Sequence, residues 1–160
     1  MQPMMCFGFP RWFNWRVSAL FLVIVSGCTL PPAKNVAVAP IPAGEARIWV
    51  YRLPQSSAVP EMPAIVFNGA IVGQIGLGDA FHRDVAPGSY HITNTGAGRD
   101  VNQAADITVR AGDTVYVKIV QLDNWDEDEW MPSFVTFYAW PVPSVTGRTE
   151  LTACRLQDAS

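Results

Sequence analysis

Residues 65–75 read IVFNGAIVGQI, and this stretch decides the fold class. Asn68-Gly69 sits between two apolar runs. Both residues tolerate the positive φ that a two-residue type I′ turn demands, so the pair closes a β-hairpin. The register implied by that turn sets Phe67 opposite Ala70 and Ile65 opposite Val72.

The same grammar continues on both sides. Residues 46–53 (ARIWVYRL) are rich in β-branched and aromatic side chains and stop at Pro54. Residues 80–85 and 90–95 flank Ala86-Pro87-Gly88-Ser89 and read as a second hairpin. Alternation there places Phe81, Val85, Tyr90 and Ile92 inward, with His82, Asp84, His91 and Thr93 outward. Residues 106–110 and 114–121 flank Ala111-Gly112-Asp113 as a third hairpin, with Ile107, Val109, Val115, Val117 and Ile119 facing in. Residues 133–140 form a last strand ending at Pro141, and the tail from Ser144 holds a short helix or an edge strand. No long helical period and no internal repeat interrupt this pattern. The expectation is an all-β chain, an antiparallel β-sandwich of about seven or eight strands, with a small β-barrel as the alternative.

Composition narrows the function. The chain has 160 residues, with 11 basic and 14 acidic side chains. Such a balance argues against a nucleic-acid partner, whose phosphates call for clustered Lys and Arg. Of the three cysteines, Cys6 and Cys28 lie near the N-terminus and Cys154 near the C-terminus.

The N-terminal segment reads as a secretory signal. Arg11 and Arg16 precede an apolar stretch, residues 17–25, interrupted only by Ser18. As a helix it would span roughly 14 Å, too short for a bilayer and right for a signal peptide. It runs into Val25-Ser26-Gly27-Cys28, which resembles a lipobox: an aliphatic residue, two small residues and the cysteine that receives lipid. Leu is commoner than Val at the first position. The reading is a signal peptide over residues 1–27, with covalent diacylglycerol and acyl lipid on Cys28 and no other cofactor. The mature chain then loses Arg11, Arg16 and Cys6, carries a formal charge of −5, and has Cys154 as its one thiol beyond the lipidated position. An intramolecular disulfide framework is thereby excluded. Thr29 follows Cys28. Asp at that position resembles an inner-membrane retention signal; Thr29 is not Asp, so in a Gram-negative cell the outer membrane, facing the periplasm, is the default. Pro31, Pro32, Pro40 and Pro42 stiffen residues 28–45 into a tether, reaching roughly 50 Å if extended. The sandwich domain is expected over residues 46–143 and a C-terminal tail over residues 144–160.

Three pieces of the chain resemble a bacterial lipoprotein family, domain of unknown function 2846, over about residues 46–120. ARIWVYRLP is similar to that family's opening strand. IVFNGAIVGQI is similar to its Val-x-Asp-Gly-x-x-Val-Gly hairpin, with Asn68 in place of Asp. AFHRDVAPGSYHI and ITVRAGDTVYVKI are similar to its Pro-Gly-x-His and Ala-Gly-x-x-Tyr-Tyr-Val runs, with His91 displaced by one position. The resemblance implies a β-sandwich on a lipid anchor and no established catalytic residues.

Candidate sites are few. His82, Asp84 and His91 share the outer face of the second hairpin, where Asp84 would face His91, and two imidazoles with a carboxylate suit zinc. Asp123, Asp126, Glu127, Asp128 and Glu129 crowd an acidic loop flanked by Trp125 and Trp130. Its carboxylates suit Ca²⁺, although the spacing lacks the glycine of an EF-hand, and Trp125, Glu127, Glu129 and Trp130 suit a partner. Solvated readings of both clusters are the simpler ones. Residues 73–78 (GQIGLG) lack the Lys-Ser/Thr and helix of a phosphate loop. Trp49, Tyr51, Trp125, Trp130, Phe134, Phe137, Tyr138 and Trp140 would make either a core or a sugar-stacking platform. The leading expectation is a non-enzymatic envelope lipoprotein that binds a protein or glycan or has a structural role. The alternative is a metal-dependent or other hydrolase that uses the histidine face or the acidic loop.

Overall fold

The structure is a computed structural model that describes residues 38–55, 58, 60–96, 101–123 and 135–157. The signal, the Cys28 lipobox, most of the tether and residues 124–130 of the acidic loop lie outside the described residues. Of Asp123, the described backbone ends a strand.

Two sheets build a sandwich. The larger contains β1 (Ala46–Tyr51), β4 (Asp79–Val85), β7 (Thr114–Asp123), β8 (Val135–Val142) and the two-residue β9 (Arg155–Leu156), in the order β8-β7-β1-β4-β9. The smaller contains β2 (Ala64–Phe67), β3 (Ala70–Gln74), β5 (Gly88–Asn94) and β6 (Ala105–Val109), in the order β3-β2-β5-β6. Both sheets are mostly antiparallel, and neither closes into a barrel. The exceptions are β1 beside β7 and β4 beside β9, which run parallel.

The Asn68-Gly69 hairpin forms as the sequence predicts. Asn68 has φ 48° and Gly69 φ 87°, and Phe67 faces Ala70. Farther from the turn the register slips: Ile65 lies opposite Gly73, not Val72, because the pair is irregular between Ile65 and Val66. Gly73 tolerates that irregularity and lies close to Phe81, whose Cζ would be 3.1 Å from an added Cβ.

The other two predicted hairpins are corners between the sheets. β4 pairs with β1 and β9, whereas β5 pairs with β2 and β6. Likewise β6 lies in the smaller sheet and β7 in the larger. The second corner is tied down by Gly112 N–H to Glu45 O (2.7 Å), Arg47 N–H to Asp113 O (2.8 Å) and Arg110 N–H to Asp113 Oδ2 (2.8 Å). A corner keeps the inward set inward while changing each strand's partner. Phe81, Ile92, Val109, Val117 and Ile119 are accordingly all buried in one core with Ile48, Val50, Ile65 and Phe137. Each such side chain contributes about 1.5–3 kcal/mol on full burial.

β1 is buried on both faces. Its inner residues Ile48 and Val50 join the main core, while Trp49 and Tyr51 point outward into a second cluster with Ala80 and Tyr116. The cover over that cluster is the C-terminal tail, which contains both a helix and an edge strand: α1 (Ser144–Leu151) followed by β9. Leu151, Cys154 and Leu156 pack against the cluster, and Glu150 accepts hydrogen bonds from Tyr51 Oη (2.6 Å) and Lys118 Nζ (2.9 Å). No helix among the described residues is long and apolar enough to cross a membrane.

Candidate functional site

The predicted histidine face divides between the two sheets. His82 and Asp84 stand on the outer side of β4, next to Trp49 and Arg47 of β1. His91 stands on β5 of the other sheet, opposite Asp106. The expected pairing of Asp84 with His91 is therefore not formed, because the turn between their strands crosses from sheet to sheet. The three side chains do not converge, and no group of three or more His, Cys, Asp or Glu side chains suited to a metal occurs among the described residues.

Each of these residues has a local partner. Arg47 Nε and one terminal nitrogen donate to both oxygens of Asp84, at 2.6 and 2.7 Å, while its other terminal nitrogen donates to Ala39 O at 2.7 Å. This fork occupies the Asp84 carboxylate. The Arg47 hydrogen bond holds the Asp84 carboxyl below its ordinary pKa, and the same bond raises that of Arg47. His82 packs on Trp49 with ring centroids 4.6 Å apart. Burial lowers its pKa, and the positive charge of Arg47 lowers it further. His91 Nδ1 lies 2.7 Å from Asp106 Oδ1 on the exposed face of the smaller sheet, and Ser89 Oγ pairs with Thr108 Oγ1 alongside.

Among the described residues, most of the aromatic side chains named above fill the interior. Trp49, Tyr51, Phe137 and Tyr138 are buried, and Trp140 is partly exposed. Trp125, Trp130 and Phe134 fall outside the described residues, as do Asp126, Glu127, Asp128 and Glu129. Tyr51 has its pKa raised by burial and by its hydrogen bond to Glu150. That bond, with the one from Lys118, lowers Glu150. Burial likewise raises Cys154. Tyr51 is buried beneath α1, Lys118 and Glu150 are partly exposed, and their hydrogen bonds tie that helix to the larger sheet as a latch.

A concave site lies elsewhere, at the open side of the sandwich between β3 and β4. It is a groove of about 410 Å³ lined by Met62, Ile71, Gly73, Gln74, Arg83 and Gln157, with the buried Phe81 at its base. Met62 and Ile71 are exposed large apolar side chains, Ile71 at 68%. The Arg83 guanidinium lies 5.1 Å from the Phe81 ring centroid and donates to the carbonyls of Val72 and His82. Among the described residues no carboxylate forms an ion pair with Arg83, unlike Arg47, Lys118 and Arg155. The site combines an apolar floor, two side-chain amides and one cation held by neutral acceptors. The chemistry of such a set is complementary to an apolar group that carries a carboxylate.

The sequence reading did not single out this groove. A signal for it was present: in the alternation that sends His82 and Asp84 outward, Arg83 falls on an inward position. An inward-pointing charge marks a sheet edge or a ligand site.

Comparison with protein-family models, with curated proteins and with solved structures found no match in any of the three. The resemblance over residues 46–120 stands on the quoted residues.

Proposed function

We propose that this protein is a non-enzymatic envelope lipoprotein, anchored through lipid on Cys28, whose sandwich holds a partner protein in the groove between β3 and β4. The observation that carries this reading is Arg83, placed above Phe81 in an open, apolar-walled groove with no carboxylate partner among the described residues. A partly buried cation gains about 1.5–3 kcal/mol from a charged hydrogen-bond acceptor. A protein is favoured over a glycan because the exposed apolar side chains at this groove, Met62 and Ile71, are not aromatic and offer no ring on which a sugar would stack. Val25-Ser26-Gly27-Cys28 supports the anchor, Thr29 the outer membrane in a Gram-negative cell, and the proline tether a domain held off the bilayer.

The test is photo-cross-linking in intact cells with a photoreactive residue at Gln74. An adduct of fixed mass is expected, absent with Arg83→Glu and retained with Arg110→Glu. An adduct indifferent to Arg83→Glu, or none at all, refutes the reading.

A further inference from the structure

Four strands form the edges of the two sheets: β8 and β9 in one, β3 and β6 in the other. An edge offers unpaired backbone N–H and C=O groups, which proteins guard with charge, proline or very short strands. β8 carries Pro141, β9 is two residues long and begins with Arg155, and β6 carries Asp106. β3 reads AIVGQ, with neither charge nor proline, and its one edge device is the irregularity at Val72, beyond the regular pairs Phe67–Ala70 and Val66–Ile71. Phe67 and Ala70 close the two-residue turn as a hydrogen-bonded pair, so the N–H and C=O of Ile71 point away from β2. No backbone among the described residues pairs with that outer edge.

The edge and the groove are one feature. Arg83 crosses from β4 to the Val72 carbonyl, at the irregularity of β3, and shares the groove with Ile71, Gly73 and Gln74 of that strand. A strand laid along β3 would send alternate side chains toward Phe81, Met62 and Arg83. We infer that β3 is a docking edge for an extended segment of a partner protein, which adds a strand to the smaller sheet and sets an acidic side chain against Arg83. This rests on the groove being the binding site. Charge favours a partner over a second copy of this chain: two-fold pairing centred on Val72 would bring two Arg83 guanidiniums together.

The probe is a capped, fluorescently labelled peptide, Ile-Thr-Glu-Thr-Ile, titrated by anisotropy against the full chain in detergent. Its two Ile and its Glu share one face of an extended strand. Saturable binding is expected, weakened about tenfold when Gln replaces the peptide Glu and by a similar factor in Arg83→Gln. N-methylation along one peptide edge should abolish binding, and along the other edge should spare it, because an added strand uses one edge only. Ile71→Pro should also abolish binding with Trp fluorescence unchanged, since that N–H makes no ladder bond.

Arg83-dependent binding that tolerates N-methylation on both edges overturns strand addition and leaves the groove reading intact. Binding indifferent to Arg83→Gln overturns both. No saturable binding at millimolar peptide overturns strand addition, and the cross-linking experiment then decides the groove separately. Self-association of the chain that is lost in Ile71→Pro makes a second copy the occupant and overturns the peptide inference.

Discussion

Gly147→Ala places a single methyl group where the structure has no room for one. Gly147 is the buried residue of α1, and a Cβ there would lie 2.3 Å from Tyr116 Cγ and 2.4 Å from Tyr116 Cβ. Carbon atoms rest at about 3.5–4.0 Å, so helix and sheet must separate by about 1 Å. Tyr116 cannot rotate away, because its Cβ is fixed by the backbone of β7, a strand hydrogen-bonded on both sides. Helix propensity acts in the opposite direction, with Ala favoured over Gly by about 1 kcal/mol. Overpacking costs about 1–3 kcal/mol. Withdrawal of α1 also stretches the 2.6 Å bond from Tyr51 to Glu150, and an orphaned buried hydroxyl costs about 1–3 kcal/mol more. The balance is a loss of about 3 kcal/mol, a fall in Tm of about 12 °C for a domain of this size. Urea and thermal unfolding followed by Trp fluorescence measure it. Val145→Ala is the control, since Val145 is 81% exposed on the same helix and should change little. A Gly147→Ala protein as stable as the parent, or more so, would show that α1 does not pack on Tyr116 as described.

Three further outcomes follow from the same contacts. A double-mutant cycle of Tyr51→Phe with Glu150→Gln should show a coupling of about 1 kcal/mol in urea unfolding, and additive effects would deny the latch. Arg47→Met should cost about 2 kcal/mol by leaving the Asp84 carboxylate without its fork, and an Asp84→Asn background should reduce that loss. His82 has a folded pKa below its ordinary 6.5, so the unfolded chain binds more protons and stability falls as pH drops through 6.5 toward the folded value. Asp84 is depressed from 3.8 and acts only at lower pH, its stabilisation being lost as pH falls through its folded pKa. His82→Gln should therefore flatten the stability profile just below pH 6.5. A slope there that survives the substitution would refute the assignment.

Side-chain alternation made the inner face legible. Ile107 and Val109, Val115 and Val117, Phe81 and Ile92 were all assignable because a strand's side chains repeat every two residues whichever strand lies beside it. Partnership was not legible at Ala86-Pro87 or Gly112-Asp113, because a corner between sheets and a hairpin within one use the same turn residues. That single ambiguity separated His91 from His82 and Asp84. The run from Ala46 to Tyr51 carried a further sign, since apolar residues on both alternating faces mark a strand covered on both sides. Its second cover, α1, was harder to read, because the helix begins at Pro143-Ser144 without a side-chain cap and holds a glycine at its contact. Gly73 signalled the register slip, as an isolated glycine within a strand often does. Arg83 was visible as an inward charge, but the groove around it depends on Met62 and Gln157, which come together only in the folded chain.

The intact mass of the protein extracted from membranes tests the proposed lipid anchor on Cys28 most directly. The predicted species begins at Cys28, lacks residues 1–27 and carries the added mass of a diacylglyceryl group and acyl chain, which Cys28→Ser abolishes. A mature chain that begins elsewhere, or an unmodified Cys28, would contradict it.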